Sequence, residues 1–300
     1  MRYRSPKALE QAVKAAARRS GRDVGKAIAA FWRDRLLCRV FSTPEPEFVL
    51  KGGQGMLAKV PDARETRDID LLGTSGNLDE ALDELKALSS KDLGDYLDFR
   101  FETARPTDTS QDYRTGYTVT FEVWLGGTVK RGTVSVDLVV DTVPPGSYDM
   151  VDSISSLKLE GLETHPYAIT KPASRVAEKV GATMQDYGGN PSSRVKDLAD
   201  LVKTMCVEDV DADDLARHLR SEAAIRRIGT IPAFVVPDAW KTTMSSNYRK
   251  IARESRLPER YEDAATAEEA VAAWLRPVIE GEAAGMTWLA SEQVWKPKRS

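Results

Sequence analysis

The chain has 300 residues, 41% hydrophobic and 30% charged, the composition of an ordinary folded protein long enough to bury a core and to divide into two domains. Its 43 basic and 46 acidic residues leave a net charge of -3, so no chain-wide positive field draws in nucleic acid. Cys38 and Cys206 are too few and too isolated for a disulfide framework or a zinc site, and with no signal-like opening and no apolar run of membrane-spanning length the expected setting is the reducing cytoplasm, without a membrane partner.

The spacing of apolar residues predicts helices over 7–19 and 24–41. Through residue 26, Arg2, Arg4, Lys7, Lys14, Arg18, Arg19, Arg22 and Lys26 face only Glu10 and Asp23. This local basic patch reads either as the solvated side of an amphipathic helix or as a contact for RNA. The second helix carries Ile28, Phe31, Trp32, Leu36 and Val40 close to one face, and Pro44 and Pro46 end it. A short strand from Phe48 to Leu50 then meets Gly52 and Gly53 and turns into a helix. RDIDLLG, closed by Gly73, is a further strand.

Asn77 is an N-cap for the helix NLDEALDELKAL, which sets Leu78, Leu82, Leu85 and Leu88 on one side and acidic residues in its first turn. From Tyr96 to Thr142 the text alternates. YTVTFEVWL and TVSVDLVVD form a hairpin turning at Gly126 and Gly127. Composition shifts past Pro144 and Pro145, and after Tyr167 helical periodicity runs almost to the end. The expected division is therefore a first domain over residues 1–160 and a mainly helical second domain over 161–300. In the second, KPASRVAEKVGATM carries a helix with Pro172 in its first turn. Asn190 and Pro191 read as the N-cap and first position of a helix through RVKDLADLVKTM. DADDLARHLRSEA and TAEEAVAAWLRPVIEG are further amphipathic helices.

Strand alternation puts Asp68 and Asp70 on one face, roughly 7 Å apart, where their carboxylates can share divalent cations. Asp137, in VSVDLVV, is the third carboxylate that an adjacent strand would bring beside them; Asp141 ranks behind it. Acidic residues at strand ends also simply face water, so the pair alone decides little. Gly52 and Gly53 add to it, because a side-chain-free turn at a helix N-terminus lets backbone N–H groups approach phosphate.

FVLKGGQGMLAKV followed by RETRDIDLLG resembles the first motif of the AbiEii family of bacterial nucleotidyltransferase toxins, which includes the MenT proteins. AEKVGA, with Lys179, resembles the family's helical lysine motif. Arg194, Lys196, Asp197, Asp200 and Leu201 match its RxKDxxDL motif, and VSVDLVVD resembles its third-carboxylate strand. Gln54 departs from the serine usual in the wider polymerase-beta-like superfamily; Thr66 stands where relatives carry serine or threonine.

The resemblance implies an α+β fold: a nucleotidyltransferase-type mixed sheet with flanking helices, plus a C-terminal helical domain completing the active-site cleft. It implies a magnesium-dependent enzyme, with manganese as the substitute ion, that takes an NTP and transfers its nucleotide to an acceptor hydroxyl. By the same resemblance Asp68, Asp70 and Asp137 hold metal, and Lys179 and Asp197 join them in catalysis. Gly52, Gly53, Thr66, Arg67, Lys179, Arg194 and Lys196 bind the nucleotide. The implied acceptor is the 3' end of tRNA, whose modification blocks translation, and the implied partner is a cognate AbiEi-type antitoxin. Three plainer readings stand beside this one. Lys179 could be a snorkelling surface lysine; Arg194 with Asp197, and Lys196 with Asp200, are spaced for ordinary intrahelical ion pairs; Arg64 and Arg67 could merely balance local charge. A transferase acting on a small molecule or a protein, or a GTP-binding module without catalysis, are the competing functions.

Overall fold

The structure is a computed structural model describing residues 3–51, 69–107, 114–141, 148–152 and 157–298. The described residues group into two compact units, one ending at Thr170 and the other running from Lys171.

The first unit opens with helix α1 (Pro6–Arg19), capped by the Ser5 hydroxyl accepting from the Ala8 N–H, and α2 (Val24–Val40), capped by Asp23. Strands β1 (Phe48–Leu50) and β2 (Ile69–Gly73) follow, then α3 (Leu78–Ser89), where the Asn77 side chain accepts from the N–H groups of Asp79 and Glu80. Next come β3 (Leu97–Pro106), β4 (Arg114–Leu125), β5 (Val129–Asp141), β6 (Tyr148–Val151) and β7 (Tyr167–Thr170). These make one mixed sheet in the order β3-β4-β5-β2-β1-β7-β6. The β2–β5 and β1–β7 pairs are parallel and the remaining neighbours antiparallel.

Period-two alternation divides the sheet into two chemically distinct faces. Leu50, Ile69, Leu71, Val119, Phe121, Val136 and Leu138 belong to one hydrophobic core together with Phe31 and Leu36 of α2 and Leu82, Leu85 and Leu88 of α3. The intervening positions carry Asp70, Thr118, Thr120, Ser135 and Asp137, with the buried Val49 and Leu72 among them. Gly126 and Gly127 make the β4–β5 turn at φ +60° and +72°, a left-handed conformation that a side chain opposes.

A buried charge network ties α2 to the start of β3. Arg39 donates to both carboxylate oxygens of Asp95, at 2.6 and 3.1 Å, and to the carbonyl of Leu97, while Arg35 donates to Asp95 at 2.7 Å. Burial alone would raise the Asp95 carboxyl; the two guanidiniums overcome it and hold the group below the ordinary carboxylate range.

The second unit contains α4 (Pro172–Met184), α5 (Lys196–Val207), β8 (Val210–Asp211), α6 (Ala212–Ile225), α7 (Asp238–Lys241), α8 (Ser245–Glu254), a short 3-10 turn, α9 (Ala264–Ile279), β9 (Met286–Leu289) and β10 (Val294–Pro297). Helices dominate it, and β8, β9 and β10 add a small antiparallel sheet that helical periodicity did not reveal. Trp288 and Trp295 anchor that sheet by donating to the carbonyls of Met205 and Trp274.

Helix α5 begins at Lys196, not at Asn190–Pro191 as the local signals predict. The reason is non-local. Ser192 is buried, its carbonyl accepts the indole N–H of Trp240 at 2.8 Å, and its hydroxyl accepts from the backbone of Arg194. These bonds hold the segment outside a helix as far as Val195, and the Asp197 N–H then donates to the Arg194 carbonyl.

Candidate active site

Two clusters of candidate side chains are on view, one in each unit. In the first, Asp70 on β2 stands directly opposite Asp137 on β5 in the parallel register, and both are half-buried. Thr118 on β4 stands opposite Asp137 in turn, and its hydroxyl donates to Asp137 Oδ1 at 2.9 Å. On the other side, the Lys51 N–H donates to the Asp70 carbonyl, one step beyond the Leu50–Leu71 pair, so Lys51 continues the row. Opposed residues share a face, and a polar row therefore crosses four strands: Lys51, Asp70, Asp137 and Thr118. It lies on the face away from the core, since Ile69, Leu71, Val136 and Leu138 on either side of the aspartates point into it. Asp141 ends β5, paired in register with Arg114.

Gly52, Gly53, Gln54, Arg64, Thr66, Arg67 and Asp68 lie outside the described residues. Among the described residues no group of three histidine, cysteine or acidic side chains is poised for a metal ion. Asp70 and Asp137 make a pair.

The second cluster joins α4 to α5. Lys179 donates to Asp200 at 2.6 Å and to Asp197 at 3.4 Å, and Arg194 Nε donates to the other oxygen of Asp197 at 2.6 Å. Asp197 and Asp200 are three residues apart on one helix, hence on one face, and that face meets Lys179. The Asp197 side chain is 0% exposed, Lys179 17% and Arg194 45%. Burial would raise the Asp197 carboxyl, but Lys179 and Arg194 hold it below the ordinary range. Burial would likewise lower the Lys179 ammonium, and Asp200 and Asp197 together push it well above the ordinary lysine value, so it stays charged. Lys179 is thus no free-swinging surface lysine. Of the two pairings that spacing allows, Arg194–Asp197 forms, with Arg194 reaching in from just ahead of the helix, and Asp200 is taken by Lys179. Lys196, the first residue of α5, is exposed.

Sequence reasoning missed Thr118 and left Lys51 unassigned. The signal for both was the same alternation that selected Asp70 and Asp137, carried across to the neighbouring strands.

The family model described as Nucleotidyl transferase AbiEii toxin, Type IV TA system, matches residues 35–284. The chain belongs to the AbiEii nucleotidyltransferase toxin family. An AbiEii protein is an enzyme, a nucleotidyltransferase, and its type IV toxin–antitoxin system implies an antitoxin partner. Among solved structures the chain is similar to MenT4, a nucleotidyltransferase toxin from Mycobacterium tuberculosis H37Rv, at 17% identity and TM-score 0.52, over 90% of this chain and 97% of that one; the fold is shared. JHP933 from Helicobacter pylori matches at 14% identity and TM-score 0.39, over 84% of this chain and 91% of that one. No curated protein matches.

The chemistry of both clusters suits an AbiEii enzyme. Paired carboxylate oxygens are the hard donors that a divalent cation accompanying an NTP requires. An ammonium and a guanidinium are the donors suited to a polyphosphate. No helix among the described residues is long and apolar enough to cross a membrane.

Proposed function

We propose that this AbiEii enzyme uses magnesium to transfer a nucleotide from an NTP to the 3' end of tRNA in the cytoplasm, blocking translation until an AbiEi-type antitoxin restrains it. The observation that carries the reading is the register pairing of Asp70 with Asp137 on the polar face of the sheet. In this reading Asp70, Asp137 and Asp68 are the metal ligands. Lys179, Arg194 and Lys196, with the Gly52 and Gly53 turn, Thr66 and Arg67, hold the triphosphate. Asp197 keeps Lys179 and Arg194 charged and aimed.

Bound magnesium would neutralise the triphosphate and lower the pKa of the acceptor hydroxyl. The acceptor oxygen attacks the α-phosphorus, the bond to the bridging oxygen breaks, pyrophosphate departs and the acceptor proton is released. What the chain itself contributes is alignment and fixed charge. The Lys179–Asp197–Arg194 arrangement supports this, because two cations are held by one buried carboxylate instead of being left to rotate in solvent.

The test is incubation of the protein with each labelled NTP, magnesium and total tRNA. Label in full-length tRNA, removed by trimming its 3' end and lost in Asp137→Asn and Lys179→Ala, is the expected result. Label migrating with protein or small molecules would replace tRNA by another acceptor, and transfer surviving both substitutions would reject the site.

A further inference from the structure

We infer that Thr118 is a positioning residue for metal binding: its hydroxyl fixes the plane of the Asp137 carboxylate. This rests on reading Asp137 as a metal ligand. The geometry is a hydrogen bond of 2.9 Å from Thr118 Oγ1 to Asp137 Oδ1 between residues directly opposite in the β4–β5 ladder. Asp137 is itself opposite Asp70 on its other side. The carboxylate is therefore flanked by a hydroxyl on one strand and a second carboxylate on the next.

A carboxylate on a strand can turn about its Cβ–Cγ bond, since that torsion is broad. A cation shared with Asp70 needs one orientation. Thr118 supplies it, because a β-branched side chain has a restricted first torsion and delivers its donor to a fixed point. With one lone pair of Oδ1 engaged by Thr118, Oδ2 is the more available donor to a cation. Loss of a group that holds a metal ligand in this way typically costs about 10- to 100-fold in metal affinity. Thr118 touches neither nucleotide nor acceptor in this account, and its effect falls on metal affinity rather than on the chemical step.

The experiment titrates manganese into the nucleotide-free protein and reads bound ion by electron paramagnetic resonance, for wild type, Thr118→Val, Thr118→Ala, Thr118→Ser and Asp137→Asn. Thr118→Val and Thr118→Ala should each weaken manganese binding about tenfold, while Thr118→Ser, which keeps the donor but loses the β-branch that fixes it, should fall between them and wild type. The manganese concentration for half-maximal nucleotide transfer should rise in parallel, with kcat at saturating metal near the wild-type value. If Asp137→Asn abolishes binding while a folded Thr118→Val or Thr118→Ala protein binds manganese as wild type does, the positioning role is overturned and the ligand reading survives. Wild-type binding by Asp137→Asn overturns the ligand reading and this inference with it.

Discussion

Lys179 on α4 donates to Asp200 on α5 across 2.6 Å, and the same ammonium reaches the buried Asp197 at 3.4 Å. Two carboxylates on one helix face thus hold one cation on another, and Arg194 closes the opposite side of Asp197. The arrangement is close to electroneutral before any ligand arrives, which explains how the fully buried Asp197 carboxylate is accommodated. A triphosphate gripped by Lys179 would take over contacts that Asp200 now makes. Asp200→Asn should accordingly leave the fold intact and lower the KM for NTP, by roughly threefold, through removal of a competing carboxylate. Steady-state kinetics at fixed magnesium reads this directly.

Asp197→Ala should behave differently, because its side chain is fully buried. Its loss leaves Lys179 with Asp200 alone and Arg194 without its partner. Since Lys179 and Arg194 retain solvent contact, the cost is about 2–3 kcal/mol, below the range for a wholly buried pair. Urea unfolding gives the stability. Transfer should fall further than the unfolded fraction explains, since both cations lose their orientation.

Asp95 carries a larger structural burden. Asp95→Asn leaves Arg35 and Arg39 buried without their counter-charge, and about 3–5 kcal/mol of stability should be lost. The pH dependence follows from the same network. Folding holds the Asp95 and Asp197 carboxyls below their unfolded-state value of about 3.9. Their contribution is complete above that value and is lost as pH falls through the folded-state pKa values. Acid unfolding of the wild type should therefore steepen below about pH 4, and Asp95→Asn should flatten that limb.

The β4–β5 turn offers a backbone test. A Cβ at Gly126 would lie 2.8 Å from Pro6 Cγ, in a residue at φ +60°. Gly126→Ala should cost about 1–2 kcal/mol from the left-handed conformation alone, with the contact adding to it. Gly132→Ala, where a Cβ meets nothing within 4 Å, is the control and should be neutral or nearly so. Thermal unfolding of the two variants separates strain from a general loss of glycine.

Much of the sheet was legible because its strands alternate cleanly: YTVTFEV and VSVDLVV declare a buried face, and Asp70 and Asp137 fall on the other. What alternation leaves open is which residue of one strand meets which of the next. The Thr118–Asp137 bond depends on a register set by the Gly126–Gly127 turn and by the irregularity between Val123 and Trp124, and neither can be counted from one strand alone. Helix α5 illustrates a second limit. Asn190 and Pro191 are sound local start signals, yet Trp240, forty-eight positions away, claims the Ser192 carbonyl. The small sheet of the second unit was hidden for a related reason, since its strands are four residues or shorter and depend on tryptophans donating to distant carbonyls. Partner choice had the same character: Lys196 and Asp200 have the right spacing, but Lys179 arrives from another helix with a better-placed charge.

Whether Asp70 and Asp137 together bind the cation of the proposed nucleotide transfer is read most directly from the reaction itself. Single-turnover transfer from an α-labelled NTP, with magnesium, compares wild type with Asp70→Asn at matched folded concentration. A fall of about a hundredfold to a thousandfold, with wild-type transfer abolished by a chelator and restored by manganese, is the predicted result. Wild-type transfer by Asp70→Asn, or transfer indifferent to the chelator, would mean that this pair holds no catalytic cation.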